Sequence, residues 1–332
     1  MSTIREVARE AGVSITTVSK ILSNDPSFHA SEATRKRVMK AVDKLNYKYA
    51  EKKSQIRIGC IMSLTYSYSD PYFSDILSGI QTYCASHNAF ISLIVSYSQL
   101  RDAKYDLEKQ LRELDGLIIT DLPEGRFEFI TNLGKKIVFV DNYISGYCNV
   151  GFNDIYANQL VMDHLIDCGY RRIAYIGGPS GSPDFASSSR MMIYRETLRR
   201  NNIPYDPELI YDCGWDNKVC AMQAKELLVK RPDTQVIFAG SDSLAVVILS
   251  QLKEVGLRCP EDIGVVGFND IMLAGSFSPS LTTVRLPSAG MGELAAEMLI
   301  RQIKTNTTLD QQILLPVELK IRESTRKRNG HS

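Results

Sequence analysis

The sequence predicts a small all-α head joined to a larger α/β core, and three observations carry that division. Charge is the first: residues 1–55 hold eleven Lys/Arg against six Asp/Glu, while the remainder holds 28 against 32. The second is periodicity, since apolar residues recur at helical spacing up to Leu45 with no strand-like run among them. The third is the change after residue 55, where short apolar runs alternate with amphipathic stretches, the pattern of parallel sheets covered on both faces.

The head reads as a helix-turn-helix followed by a third helix. Thr3 caps the first helix, and Glu6 completes a capping box. Gly12 ends that helix, because glycine takes a left-handed conformation cheaply. Ser14 caps the second helix, which buries Val18, Ile21 and Leu22. Its other side offers Ile15, Thr16, Thr17, Ser19 and Lys20, short polar or methyl-bearing groups and one cation suited to a DNA major groove. The third helix runs from Ser31 to Leu45, with Arg35, Lys36, Arg37, Lys40 and Lys44 available to phosphates. Basic side chains that displace counterions supply non-specific DNA affinity.

The core reads as strands 56–63, 90–95, 116–120, 136–141, 172–177, 209–212, 235–239, 263–268, 311–318 and 320–322. Helices are expected over 73–87, 104–114, 156–168, 188–201, 219–229, 243–255 and 291–304. About ten strands favour two sheets over one, divided near Asn153. Ligands in such folds bind beyond the carboxyl ends of the strands. That singles out the loops at 65–72, 121–123, 141–145, 177–190, 214–216, 240–242 and 268–270.

Composition excludes several classes. The chain has 332 residues, 44% hydrophobic and 23% charged, as in an ordinary globular protein of two or three domains. No window approaches the ~18 consecutive apolar residues of a membrane span. Arg5, Glu6, Arg9 and Glu10 interrupt any secretory leader, which points to the cytoplasm. Seven dispersed cysteines without a C-x-x-C pair argue for reduced thiols, with Cys213 and Cys220 unlinked. Gly177–Gly181 has neither dinucleotide nor P-loop spacing, and four histidines (His29, His87, His164, His331) stand in no metal or nucleophile arrangement. Enzymatic activity, a cofactor and a metal are therefore not expected.

Longer strings of residues carry a family resemblance. They are Ala11-Gly-Val-Ser-Ile-Thr-Thr-Val-Ser-Lys20, Thr34-Arg35 and Leu45-Asn46-Tyr47 in the head. In the core they include Gly79-Ile80, Asp115-Gly116-Leu117-Ile118, Gly169-Tyr170-Arg171-Arg172-Ile173-Ala174, Ile176-Gly177-Gly178-Pro179, Ser241-Asp242, Pro260 to Asp270, and Pro279 to Arg285. In this order the chain resembles the lactose-repressor/galactose-repressor family of bacterial transcription factors over nearly its whole length. The short Lys48–Gln55 bridge, charged and without leucine, is similar to the galactoside-responsive subgroup that includes the evolved-β-galactosidase repressor.

The resemblance implies a head on two doubly wound parallel-sheet subdomains of the periplasmic-binding-protein type, joined by three crossing strands. The implied divisions are a DNA-binding head at 1–48, a linker at 49–56, a core at 57–325 and a basic tail at 326–332. Within the core, 57–153 with 285–313 would form one subdomain and 154–284 with 314–325 the other. It also implies a homodimer on operator DNA, with a small effector, a sugar, between the subdomains. Ile15 and Thr16 would set base preference and Lys20 would read a further base, without the bidentate fork of the family's common arginine. Thr3, Ser14, Thr17, Ser19, Ser23 and Asn24 would position phosphates, though each could equally be a plain cap.

For the effector, the resemblance implies Arg190 as the sugar-binding arginine, Asp141 as a ligand-contacting acid and Trp215 as a stacking platform. Ser241 and Asp242 replace the family's Asn-Asp, Asn269 follows a strand, and Tyr66, Tyr68, Asp70 and Tyr72 cluster in the first loop. Galactose or a β-galactoside is the expected effector, with a purine or a phosphosugar as the other options. The alternatives are a sugar-binding protein without a transcriptional role, and a regulator that uses a corepressor.

Overall fold

A computed structural model describes residues 2–23, 28–47, 55–62, 71–96, 99–100, 105–120, 125–178 and 185–328. Of the expected site residues, Asn24, Tyr66, Tyr68 and Asp70 lie outside the described residues, as does most of the Lys48–Gln55 bridge. The chain forms two compact units, Met1–Ile56 and Arg57–Ser332.

The first unit, the head, is three helices: α1 (Ile4–Ala11), α2 (Ile15–Leu22) and α3 (Glu32–Lys44). Each start is fixed by a side chain. Thr3 and Glu6 form the reciprocal capping box on α1, Ser14 accepts from the Thr17 N–H, and Ser31 accepts from the Thr34 N–H. Gly12 has φ +64°, the left-handed value that ends α1 and sets the tight turn into α2. Val7, Ala8, Ala11, Val18, Ile21, Leu22, Val38, Ala41 and Val42 close the core, and Val18, Ile21 and Leu22 are inside as expected. Lys44 departs from the expectation that it faces phosphates: its Nζ pairs with Glu10 at 2.7 Å.

The body holds two parallel sheets. The first has the order β11-β5-β4-β3-β1-β2, from β1 (Ile56–Met62), β2 (Ala89–Ser96), β3 (Gly116–Ile119), β4 (Lys136–Val140), β5 (Cys148–Phe152) and β11 (Gln311–Leu315). The second has the order β7-β6-β8-β9, from β6 (Ile173–Gly177), β7 (Ile210–Asp212), β8 (Val236–Ala239) and β9 (Gly264–Val266). A separate antiparallel pair joins β10 (Thr283–Arg285) to β12 (Glu318–Lys320). The chain passes between the two sheets at 152–154, 285–288 and 315–318, which are three crossings.

Several strands differ from the sequence expectation, β10 among them, since no strand was expected over 283–285. β5 was not expected, since Asn149 and Gly151 interrupt its apolar run, yet every residue in it is buried. Asn149 meets that burial by donating to the Ile144 and Tyr147 carbonyls and accepting from the Ile144 N–H at 2.8 Å. Of the two strands expected over 311–318 and 320–322, the first stops at Leu315 and the second lies at Glu318–Lys320. Pro316 lacks an N–H and breaks the ladder, so β11 joins the first sheet while β12 pairs elsewhere.

The body helices are α4 (Pro71–Ser86), α5 (Tyr105–Arg112), α6 (Phe127–Thr131), α7 (Asp154–Asp167), α8 (Ser189–Arg200), α9 (Asn217–Lys230), α10 (Asp242–Glu254) and α11 (Ser288–Thr305). α6 was not expected. α4 and α11 pack backbone to backbone, because Gly79 and Gly292 face them: a Cβ on Gly292 would lie 2.0 Å from the Ile76 carbonyl oxygen. No described helix is long and apolar enough to cross a membrane. All seven cysteines are free.

Candidate functional site

In the head, α2 divides by burial. Val18, Ile21 and Leu22 are inside, while Ile15, Thr16 and Ser19 are exposed. Ile15 is 45% exposed, one of many exposed apolar side chains here, so its methyls are available to a partner. A thymine methyl in a major groove is one such contact. Ser14 Oγ and Thr17 Oγ1 share a 2.9 Å hydrogen bond, and Ser23 Oγ donates to the Lys20 carbonyl at 3.3 Å. Thr3, Ser14 and Ser23 therefore already have local partners. Lys20 Nζ stands 5.4 Å from the centroid of the Phe28 ring, which steers the ammonium along the helix flank.

In the body, the strand ends converge as the topology requires. Ser188 caps α8 by accepting from the Met191 N–H, and Arg190 is the second residue of that helix. Arg190 is 3% exposed. Its Nε donates to Asn158 Oδ1 at 2.8 Å, and one terminal nitrogen, Nη1, donates to the Gly240 carbonyl at 2.7 Å. The guanidinium lies 4.2 Å from the Phe268 ring, 5.6 Å from Phe238 and 5.8 Å from Trp215. Asn158 continues the chain by donating to Asp154 Oδ1 at 2.8 Å, and Asp154 also accepts from the Ser189 hydroxyl. The burial of the Tyr175 phenol nearby raises its pKa, and the Arg190 charge opposes that shift.

Trp215 sits on a bed of glycines. A Cβ on Gly178 would meet the indole at 2.5 Å, and one on Gly240 would meet it at 2.9 Å, so neither position accepts a larger residue. The indole is thus packed on backbone, and the residue as a whole remains 43% exposed. Trp215 also has φ +64°, a left-handed backbone held by its turn.

Asp141 follows β4 with φ +56° and accepts from the Tyr72 hydroxyl at 2.6 Å. Its residue is exposed at the strand end, although protein surrounds the carboxyl on several sides. That surrounding mass pushes its pKa up, to about 7; Tyr72 opposes the shift, Asp154 adds to it and Arg190 opposes it.

Ser241 and Asp242 are placed differently from the expected ligand contacts. Ser241 is buried and its Oγ caps α10 by accepting from the Leu244 N–H. Asp242 is 0% exposed, and both of its oxygens are taken, one by Thr283 Oγ1 at 2.7 Å and one by the Ile271 N–H at 2.8 Å. Burial pushes its pKa to about 6 against those donors. This pair braces the loop after β9. Asn269 is half-buried in that loop with φ +118°, its N–H bonded to the Val284 carbonyl and its own carbonyl to the Leu286 N–H. The effector contact expected at Asn269 is thereby spliced to the crossing at 285–288. Asp270, beside it, is held by Arg285 at 2.7 Å and Arg322 at 2.6 Å.

Sequence reasoning missed Asn158 and Asp154. The signal for Asn158 was present: an amide on the buried stripe of α7, among Ala157, Val161, Met162 and Leu165, demands a polar partner. A separate depression of about 760 Å³, lined by Leu252, Arg258, Pro260, Pro279 and Arg326, holds none of these groups. Among the described residues no cluster of three or more His, Cys, Asp or Glu side chains is placed to hold a metal.

Comparison with known proteins bears on both units. Residues 3–49 match the model of bacterial regulatory proteins of the lacI family, and residues 162–325 match the periplasmic binding protein-like domain. The chain is 30% identical over 339 residues to the HTH-type transcriptional repressor PurR of Vibrio vulnificus (strain CMCP6), covering 99% of this chain and 100% of that one. A solved transcriptional regulator CelR–cellobiose complex aligns with TM-score 0.72 at 26% identity, covering 98% of this chain and 100% of the other. The lac repressor dimer bound to operator and the anti-inducer ONPF aligns with TM-score 0.71 at 25% identity, covering 98% and 99%. The chain therefore belongs to the lacI family of bacterial regulatory proteins, a DNA-binding transcription regulator with a small-molecule-binding body and not an enzyme.

Proposed function

We propose that this regulator represses a sugar-utilisation operon and is released from its operator when a small sugar, galactose or a β-galactoside, occupies the body. The observation that carries this reading is the grouping of Arg190, the partly exposed Trp215 and the Tyr72-bound Asp141 around the strand ends of one body. Sugars need planar or charged hydrogen-bonding groups and an apolar ring platform, and these residues are of those kinds. The relative solved with cellobiose supports a carbohydrate, and the one solved as a dimer on operator supports a homodimer on two half-sites. The absence of a described membrane-crossing helix fits work in the cytoplasm.

In this reading Ile15, Thr16 and Lys20 read bases, and Ser19 and Thr17, with the caps Thr3, Ser14 and Ser23, border phosphates. Residues 1–48 are the reading head and 49–56 the linker. The core pairs 57–153 and 285–313 with 154–284 and 314–325, and the tail is 326–332. Sugar bound between the halves favours one closure, which changes the spacing of the paired heads; the ligand must bind the two states unequally for this to occur. A thermal-shift screen of galactose, lactose, cellobiose and ribose tests the reading. A ligand held only by the native body raises the melting point, and no shift with any sugar at saturating concentration would count against it.

A further inference from the structure

We infer that Cys213 and Cys220 form a dithiol that hydroperoxides close to a disulfide, and that closure moves the turn carrying Trp215. The site stands apart from the effector reading and does not require it. Its geometry comes from short backbone links. The Cys213 carbonyl accepts from the Asp216 N–H at 2.9 Å, and the Asp216 carbonyl accepts from the Cys220 N–H at 2.9 Å. A tight turn and the first turn of α9 thus bring residue 213 back to residue 220. Asp216 Oδ1 fixes the start of α9 by accepting from the Lys218 and Val219 N–H groups. One turn further on, Gln223 Nε2 donates to the Asp212 carbonyl at 2.8 Å, so this side of α9 lies along the end of β7. The two thiols meet in a hydrogen bond, inside one apolar cluster with Ala174, Ile176 and Ala239.

The two sulfurs have different roles. Cys213 is held below the ordinary thiol value, first by the hydrogen bond from Cys220 and further by the Trp215 N–H, against the opposing effect of burial. Each of the other six cysteines is raised. Cys60 and Cys84 also lie near each other, but burial pushes Cys84 up to about 11 and Cys60 higher still, so neither supplies thiolate near neutral pH. Cys213 is therefore the nucleophile and Cys220 the resolving thiol. The Cys213 thiolate attacks one oxygen of the hydroperoxide. An S–O bond forms, the O–O bond breaks, and the other oxygen leaves with the proton that Cys213 had lost, as water or an alcohol. The Cys220 sulfur then attacks the sulfenic sulfur. An S–S bond forms, and the hydroxyl departs with the Cys220 proton as water. The two thiols give up two electrons and the peroxide takes them.

The turn is the part that yields. Cys213 is buried, but Gly214 and Trp215 beside it are exposed, which gives a small peroxide its approach. A covalent bond draws the sulfurs closer than a hydrogen bond does. Cys220 is anchored within the core, its Sγ donating to the Leu244 carbonyl at 3.9 Å. The turn lies at the surface, with Gly214 at φ +54° and Trp215 at φ +64°, so closure pulls it toward α9. The indole shifts with it against Gly178 and Gly240.

The test uses the reduced full-length chain and hydrogen peroxide. Free thiols should fall from seven to five. Lys218 lies between the two cysteines, so trypsin separates peptides 201–218 and 219–225 unless a disulfide joins them. They should be recovered as one species that dithiothreitol divides. Trp215 is the chain's single tryptophan, and its emission should shift on oxidation and return on reduction. Cys220→Ala should stop at a Cys213 sulfenic acid that dimedone captures, and Cys213→Ala should leave Cys220 unmodified. No joined peptide, or a different pair joined first, overturns the inference, and the native chain alone decides this. A joined peptide with unchanged emission overturns the movement of the turn. Equal oxidation of Cys220 in Cys213→Ala overturns the assignment of roles.

Discussion

Replacing Gly292 by alanine probes how the body holds its ligand-facing groups. Gly292 lies on α11 against α4, and an added Cβ would sit 2.0 Å from the Ile76 carbonyl oxygen, 2.9 Å from its carbon and 3.0 Å from the Ile80 nitrogen. These are backbone atoms within a helix, so no side chain can rotate away. An ordinary carbon–oxygen contact is roughly 3.3 Å, so the two helices must part by about 1 Å or more. Overpacking of this kind costs about 1–3 kcal/mol, and more where backbone must move. Alanine recovers only about 1 kcal/mol of helix propensity. A net loss near 2 kcal/mol is expected.

Gly79→Ala meets the same interface from the other side, its Cβ 1.9 Å from the Ala289 carbonyl oxygen. One separation of the helices relieves both clashes, so the double variant should lose less than the two single losses together, by about 1 kcal/mol. Urea unfolding followed by far-UV circular dichroism measures all three. α4 also carries Tyr72, the partner of Asp141, so sugar affinity should fall with stability. A Gly292→Ala chain that is stabilised by the ~1 kcal/mol of propensity alone would show that the helices do not meet as described.

Other expectations follow from single residues. Arg190→Met removes the guanidinium at the indole and should weaken sugar binding about 10- to 100-fold, the loss of one or two charge-assisted hydrogen bonds; titration that shows less than a threefold change would displace Arg190 from the site. Exchanging Ile15 and Thr16 for Val and Arg should alter which sequences the chain selects from a random DNA pool, and an unaltered selection would remove them as readers. The raised pKa of Asp242 gives a pH signature. Its carboxyl prefers the proton in the folded body, so its contribution to stability is fully present below the unfolded value near 3.8 and is lost as pH rises through about 6. The body should therefore gain stability on acidification from pH 7 to pH 5, by about 1.3 kcal/mol from this group, and Asp242→Asn should flatten that slope; a melting point that falls over this range in the native chain and not in the variant would reverse the assignment.

The head was nearly legible from sequence because its determinants are local. Thr3, Gly12, Ser14 and Ser31 act on residues within one turn, and the apolar stripes name their own core. The alternation in the body was legible for the same reason. What escaped depends on distant partners. β5 is a strand because β4 and β11 flank it, not because Asn149 and Gly151 favour one. The loss of Pro316 from the ladder moves β12 to a partner more than thirty residues upstream. At the site, Asp242 reads as a loop acid open to a ligand, and only the fold turns it inward to Thr283 and Ile271. Conversely, nothing local marks Asp154 as a neighbour of Asp141; that proximity exists because the first crossing carries the chain from one sheet to the other.

The most direct test joins the two units in one titration. A duplex selected by the full-length chain from random DNA is labelled, and its dissociation constant is measured by fluorescence anisotropy at fixed salt, with and without a saturating neutral sugar that raises the melting point. The account requires a strong preference for that duplex over random DNA and at least a tenfold weakening by the sugar. An equal grip on selected and random DNA, or a selected duplex held identically with the body occupied and empty, would contradict it.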